Sequence, residues 1–268
     1  MNLGLNGKIA FVAGGSSGIG KAIAWELANE GAKVAIGART EAKLQATAAE
    51  MMAETGSEVL PVVVDVTDVA QIQEAIDATV AHFGGLQILV TNGGSASKGN
   101  FDQLDHATWQ QGWELYFMMH VNLIQAALPH LRANHPKWGR IITITSMSAK
   151  RALKGLLLSS SLRPGVEGLV RSLASQLAPE GITVNNLAPG YVLTEQLQRS
   201  MAERAAKRGI SKEELIAEMG HIAPIGRISH PEEQGAAAAF LASTRAASIT
   251  GQTIVVDGGI IDQSLHIW

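Results

Sequence analysis

Short, almost uninterrupted apolar runs alternate with longer amphipathic ones along the whole chain. The apolar runs at 9–13, 33–37, 59–64, 88–91, 140–145, 183–188 and 253–256 read as strands. Strands that are apolar on both sides belong to parallel sheets covered by helices on each face. Helical periodicity fills the gaps, over 21–30, 41–55, 69–83, 109–132, 164–177 and 231–241. Repeated β-α units of this kind predict an α/β fold, a doubly wound and mainly parallel sheet of seven strands. No linker, low-complexity tract or internal repeat interrupts the pattern, so residues 1–268 are expected to form a single domain.

One segment departs from this rhythm. Residues 194–226 are rich in charged and small side chains and predict two short helices, at 195–208 and 211–219. A long connection with its own structure is expected to be a lid or binding loop, the alternative being a solvated helical pair. Its Leu193, Leu197, Met201, Leu215, Ile216 and Met219 would offer an apolar surface to a largely apolar substrate, or pack the two helices together.

The first strand breaks into Gly14-x-x-x-Gly18-x-Gly20 and then a helix. Glycines let the backbone come close to a phosphate, and the N–H groups of a helix N-terminus point at the anion. An ordinary strand-to-helix turn would also use glycine, so this triplet needs support from elsewhere in the chain.

Composition narrows the classes. A net charge of −3 gives no support for nucleic acid or an anionic membrane as partner. The absence of cysteine excludes disulfides and thiolate chemistry and fits a reducing, cytoplasmic setting. The opening residues lack a basic segment followed by a hydrophobic stretch, so no signal peptide is expected. No run approaches the roughly 18 apolar residues of a spanning helix. No His, Asp or Glu cluster has metal-ligand spacing.

Several further motifs stand in a fixed order. Asp65 follows the third strand, and Thr91-Asn92-Gly93-Gly94 follows the fourth. The 141–145 run ends at Ser146, Val184-Asn185 leads to Pro189-Gly190 and Thr194, and Thr250-Gly251-Gln252 and Val256-Asp257-Gly258-Gly259 stand near the end. With Ala13-Gly-Gly-Ser-Ser-Gly-Ile-Gly20, which resembles a T-G-x-x-x-G-I-G turn, these residues resemble the short-chain dehydrogenase/reductase family over essentially the whole chain. The resemblance implies a Rossmann-type domain that holds a nicotinamide dinucleotide along the strand C-termini. Gly14, Ser16, Ser17, Gly18, Ile19 and Gly20 would form the phosphate turn, Asp65 and Val66 would line the adenine, and Asn92 and Gly93 would flank the ribose. Pro189, Gly190, Val192 and Thr194 would hold the nicotinamide amide.

The choice between NAD and NADP has a physical argument. An acid at the end of the second strand would bind the ribose 2′-OH and repel a 2′-phosphate. Here that position is Ala38, followed by Arg39, a planar donor suited to phosphate. NADP(H) is favoured over NAD(H), with Ser16 and Ser17 as further donors.

The resemblance fails where the chemistry should be. The family uses a Ser, a Y-x-x-x-K pair and an Asn on the preceding long helix. Ser146 keeps the serine position, but Ser159-Ser-Ser-Leu-Arg163 stands in place of Y-x-x-x-K, and Tyr116 in place of the Asn. Asn122 lies six residues beyond that position, roughly 240° around a helix, and should face elsewhere. A serine is a far weaker acid than a phenol, whose pKa is about 10, and Arg163 stays charged. The chain has two tyrosines, Tyr116 and Tyr191. Tyr116 is the candidate replacement phenol, with Arg163 supplying positive field and cofactor contact, Ser146 the substrate hydrogen bond, and Ser159 the vacated tyrosine site. The alternative is that Trp109, Trp113, Tyr116 and His120 form a core stripe or the helix interface on which the family's oligomers assemble, as a homodimer or homotetramer. Lys150, His221 and His230 are expected at the surface.

The expected function is therefore an NADP(H)-dependent oxidoreductase acting on the carbonyl or alcohol of a small molecule through an atypical active site. The alternatives are a non-redox enzyme on this scaffold, or a cofactor-binding protein that has lost its chemistry.

Overall fold

In the computed structural model, which describes residues 1–261, seven strands form one all-parallel sheet. They are β1 (Ile9–Ala13), β2 (Lys33–Ala38), β3 (Val59–Val63), β4 (Ile88–Thr91), β5 (Gly139–Ile144), β6 (Ile182–Pro189) and β7 (Thr253–Val256). Each lies within a residue or two of the expected run, the usual scatter at element ends. Their spatial order is β3-β2-β1-β4-β5-β6-β7. The chain winds outward from β1 to β3, then returns to the other side of β1 at β4. A crevice opens at that reversal, at the carboxyl ends of the strands, where ligands bind in sheets of this kind.

The helices are α1 (Gly18–Asn29), α2 (Glu41–Thr55), α3 (Val69–Phe83), α4 (His106–Trp113), α5 (Met119–Arg132), α6 (Leu157–Leu177), α7 (Glu195–Arg208), α8 (Lys212–Gly220) and α9 (Pro231–Ala242). Alternation along β1 shows how they divide, since successive side chains leave a strand on opposite faces. Ala10 and Val12 join Ile23 and Leu27 of α1, Leu44 and Met51 of α2, and Ala238 and Leu241 of α9 on one face. Phe11 and Ala13 join Ile72 and Ile76 of α3, Leu123 and Ala127 of α5, and Val166 and Val170 of α6 on the other. Both clusters are almost fully buried, which fixes the heights of the strand ends and so the floor of the crevice.

Two helices differ from the sequence expectation in ways that matter. The run 109–132 is not one helix. Its middle, Glu114–Met118, is a π-turn joining α4 to α5. Within it Tyr116 is 5% exposed, while the neighbouring Trp113 is 41% exposed. Such turns are rare and concentrate at functional sites. α6 starts seven residues before Pro164, so Ser159 and Arg163 ride on its first two turns. Pro164 sits inside the helix, although its lack of an N–H favours the first turn of a helix.

The segment after β6 carries α7 and α8. Thr194 caps α7 by accepting from the Leu197 N–H at 3.2 Å, and Ser211 caps α8 by accepting from the Glu214 N–H at 3.1 Å. Met201, Leu215 and Met219 are buried between the two helices, with Leu193 and Ile216 packed beside them. No helix of the described residues is long and apolar enough to cross a membrane.

Candidate active site

A cleft of about 1270 Å³ opens at the carboxyl ends of the strands. Gly14, Ser16, Ser17, Gly18 and Ile19 line one side of it. Gly14 and Gly18 hold φ of +66° and +55°, a left-handed backbone natural to glycine. Ser17 precedes α1 without giving it a side-chain cap, so the N–H groups of the first turn have no side-chain acceptor. An uncapped helix N-terminus on a cleft is a place for an anion. Gly20 lies behind this turn rather than on the cleft surface, packed on Gly14 and Asn92. Asn92 donates through Nδ2 to the Ala13 carbonyl at 3.3 Å, tying the ends of β1 and β4 together beneath the turn.

Around this floor, Arg39 lines the cleft as an exposed cation just past Ala38. Asp65 and Val66 line it as well, and the Asp65 carboxylate accepts from the Thr67 N–H and hydroxyl at 3.0 and 2.8 Å, fixing that turn. Gly93 lies against Met119 and lines the cleft beside Asn92. Pro189, Gly190, Val192 and Thr194 form the far wall. Gly190 is held by its N–H to the Val256 carbonyl at 3.1 Å, and a Cβ there would come within 2.5 Å of the Asp257 Cβ. The residues present thus fit a dinucleotide: an anion seat at α1, a neighbouring guanidinium, and an extended wall at β6.

Tyr116, Ser146, Ser159 and Arg163 all line the same cleft; Asn122 does not. The Ala96 N–H donates to the Tyr116 hydroxyl oxygen at 2.8 Å. The Arg163 guanidinium carbon lies 4.3 Å from the centre of the Tyr116 ring, in cation–π range. Arg163 donates through Nε to Ser159 Oγ at 3.0 Å and through one terminal nitrogen to the Ile144 carbonyl at 3.3 Å. Ser159 Oγ in turn shares a hydrogen bond of 2.8 Å with Ser148 Oγ. Burial pulls the Arg163 pKa down, and the Tyr116 oxygen opposes that shift; a guanidinium remains a cation. Ser146 caps the short turn Met147–Ala149, its Oγ accepting from the Ser148 N–H at 3.2 Å. The Ser146 hydroxyl proton is therefore left to point elsewhere.

Three features of this arrangement had no clear sequence signal. Ala96 contributes a backbone N–H, which no residue type announces. Ser148 completes the serine chain through a 3-10 turn. His120, on α5 behind the site, is fully buried, with Nδ1 2.6 Å from the Thr91 hydroxyl and Nε2 without a partner among the described residues. Burial, and secondarily the Arg163 charge, push its pKa down to about 3. His120 is thus neutral at pH 7. Because the unfolded chain binds this proton below pH 6.5 and the native protein does not, stability is full above pH 6.5 and falls as pH drops towards 3. The loss is up to about 1.4 kcal/mol per pH unit. His120→Gln is expected to flatten that slope in urea unfolding curves between pH 6.5 and 4.5.

The remaining candidates fall outside the cleft. Lys150 pairs with Glu167 at 2.8 Å, and His221 and His230 are exposed. The apolar surface expected of the 194–226 segment lies mostly away from the cleft. Of the six apolar residues on which it rested, Leu197 alone lines the cleft. The others turn inward to hold α7 and α8 together, because two short helices of low apolar content have no other core to bury.

Comparison with known proteins agrees with this geometry. The family model described as Enoyl-(Acyl carrier protein) reductase matches residues 13–261. A 3-oxoacyl-acyl-carrier-protein reductase of Vibrio cholerae is 33% identical over 258 residues, covering 96% of this chain and 99% of that protein. L-sorbose reductase from Gluconobacter frateurii, solved with NADPH and L-sorbose, superposes with a TM-score of 0.94 at 31% identity, covering 98% of this chain and all of the other. An NADPH-bound short-chain oxidoreductase of Pseudomonas aeruginosa PAO1, described as containing an atypical catalytic center, gives 0.85 at 32% identity and 97% coverage of each chain. With its doubly wound sheet, its glycine turn before an uncapped α1 and these full-length matches, the chain belongs to the short-chain dehydrogenase/reductase family.

Proposed function

We propose that the protein is an NADP(H)-dependent oxidoreductase that interconverts a carbonyl and an alcohol, with Tyr116 as its proton donor and acceptor. The observation that carries this reading is the placement of the chain's one cleft-facing buried phenol between the Ala96 N–H and the Arg163 guanidinium. Bound NADPH would supply the hydride. The protein supplies the rest. The Ala96 N–H takes a lone pair of the phenol oxygen, leaving the O–H proton for the substrate oxygen. As that proton leaves, the charge developing on Tyr116 meets an N–H and a guanidinium already in place, which is electrostatic preorganisation. Ser146, whose oxygen already accepts from Ser148, donates its own proton to the same substrate oxygen. Ser159 is a positioning residue: it fixes Arg163 from one side so that the other side faces Tyr116.

Gly14 to Gly20, Asp65, Val66, Asn92, Gly93 and the 189–194 wall would hold the dinucleotide, with Arg163 reaching its ribose. NADPH in two solved relatives, L-sorbose reductase and the Pseudomonas oxidoreductase, supports the phosphorylated cofactor. Arg39 is the residue to test, because it lines the cleft and makes no ion pair with another described residue. A charge-assisted hydrogen bond contributes about 1.5–3 kcal/mol, so Arg39→Ala should weaken NADPH binding by roughly 10- to 100-fold. NADH binding should stay within about twofold, since it carries no 2′-phosphate. Fluorescence titration with both nucleotides reads the difference.

The helical pair α7–α8 is proposed as a lid within a single domain, its first turn reaching the cleft at Glu195, Gln196 and Arg199. A homodimer or homotetramer in the cytoplasm completes the reading, and Trp113 stacked on Phe117 at 4.4 Å offers an aromatic surface for assembly. Ser159 in the vacated tyrosine position favours a second reading, a cofactor-binding protein without turnover. NADPH consumption across ketones, aldehydes and alcohols separates the two: tight NADPH binding with no turnover of any carbonyl would replace the first reading by the second.

A further inference from the structure

Beyond the dinucleotide segments the cleft is lined by Leu115, Leu156, Tyr191 and Leu197, and along α4 and the π-turn by amides and a carboxylate. Gln110 and Gln111 of α4 and Glu114 of the π-turn all reach it, with Gln110 and Glu114 one turn apart on the same side. None of these three side chains makes a hydrogen bond or ion pair with another described residue. Glu114 is half-buried, while the two glutamines are exposed at the mouth. Gln196 and Arg199 add further donors from α7. A carboxamide both donates and accepts, and a carboxylate accepts. An acyl or alkyl chain bound against them would strip their water and return no hydrogen bond. Hydroxyl groups would return one each, acting as donor to Glu114 and in either sense with the glutamines.

We infer that the site takes an uncharged, polyhydroxylated ketone or the matching polyol, whose hydroxyls beside the reacting carbon are held by Gln110, Gln111 and Glu114. This rests on the oxidoreductase reading above. Glu114 stands two residues before Tyr116, so one short segment, 110–116, selects the hydroxylated chain and delivers the proton. In the reduction, the ketone carbon gains the hydride from NADPH, and the ketone oxygen gains the Tyr116 proton. The products are a secondary alcohol and NADP⁺, and solvent reprotonates the phenol. The carboxylate of Glu114 disfavours a substrate carboxylate at the same place.

The test compares L-erythrulose with 2-butanone, four-carbon ketones that differ only in three hydroxyls, with ethyl acetoacetate as an acyl probe. At two- to tenfold for each hydrogen bond, kcat/KM for erythrulose should exceed that for butanone by about tenfold or more. Glu114→Leu should lower that ratio by about fivefold or more, through KM rather than kcat. The NADPH dissociation constant reports that the variant is folded. A ratio at or below one, or one that Glu114→Leu leaves unchanged, overturns the substrate class. Reduction of butanone or ethyl acetoacetate without erythrulose overturns the substrate class and leaves the oxidoreductase reading standing. No reduction of any of the three overturns both.

Discussion

Tyr116→Phe is expected to lower kcat by about 10²–10⁴, the usual worth of a positioned acid–base group, with the NADPH dissociation constant within about threefold of wild type. The reasoning is local. Removing one oxygen leaves the ring where it is, because the ring is buried and stacked under Arg163. The Ala96 N–H loses its acceptor, but it lies on the loop beside the cleft and water can replace the phenol. The 189–194 wall proposed for the cofactor does not involve the phenolic oxygen, so binding and chemistry should separate cleanly. Single-turnover absorbance at saturating NADPH reads the chemical step. Ser159→Ala makes the complementary comparison. If the vacated position still performed proton transfer, this variant would lose as much as Tyr116→Phe. On the structure it loosens Arg163 by one hydrogen bond of 3.0 Å and should cost about tenfold at most.

How far this site could be read from the sequence depends on what each residue does. The strands and the crevice at the β1–β4 reversal were legible because a two-sided parallel strand must be apolar throughout. The glycine turn was legible because close backbone approach leaves a residue-type mark. Tyr116 was legible only through counting, since the residues that give it a task are an Ala96 amide and a guanidinium that arrives from α6. The π-turn that carries Tyr116 was not legible, since helical periodicity at 3.6 residues cannot announce a single turn of another pitch. Pro164 hid the first two turns of α6, because proline inside a helix is rare enough that a helix is expected to begin there. The α7–α8 pair left two uses open. Its leucines and methionines looked like a binding surface, yet two short helices standing off the main sheet need those same side chains for their own core. An apolar list without a partner list cannot distinguish the two uses.

The glycine turn before α1 carries the second large prediction, set against a glycine within α6. Gly20→Ala is expected to weaken NADPH binding by about tenfold or more and to destabilise the fold by about 1–3 kcal/mol, the range for forcing atoms into a filled space. A Cβ at position 20 would overlap the Gly14 carbonyl oxygen and approach its carbon to 2.7 Å and Asn92 Nδ2 to 2.8 Å. Two of those three atoms are backbone, so no rotamer change relieves the contact. Either α1 moves away from β1, or the turn opens; both displace the N–H groups of the first turn of α1, the proposed pyrophosphate seat. Gly168→Ala is the counterweight. Gly168 lies within α6 with no atom of another described residue within 4 Å of where its Cβ would stand, apart from the backbone of its own helix, and its φ is not positive. There alanine should stabilise by about 0.5–1 kcal/mol, through helix propensity alone. Thermal unfolding and NADPH titration of both variants thus give opposite signs for one chemical change. Equal and small effects at the two sites would mean that the turn yields without cost, and that the close approach of Gly20 to Gly14 does not hold the anion seat in shape.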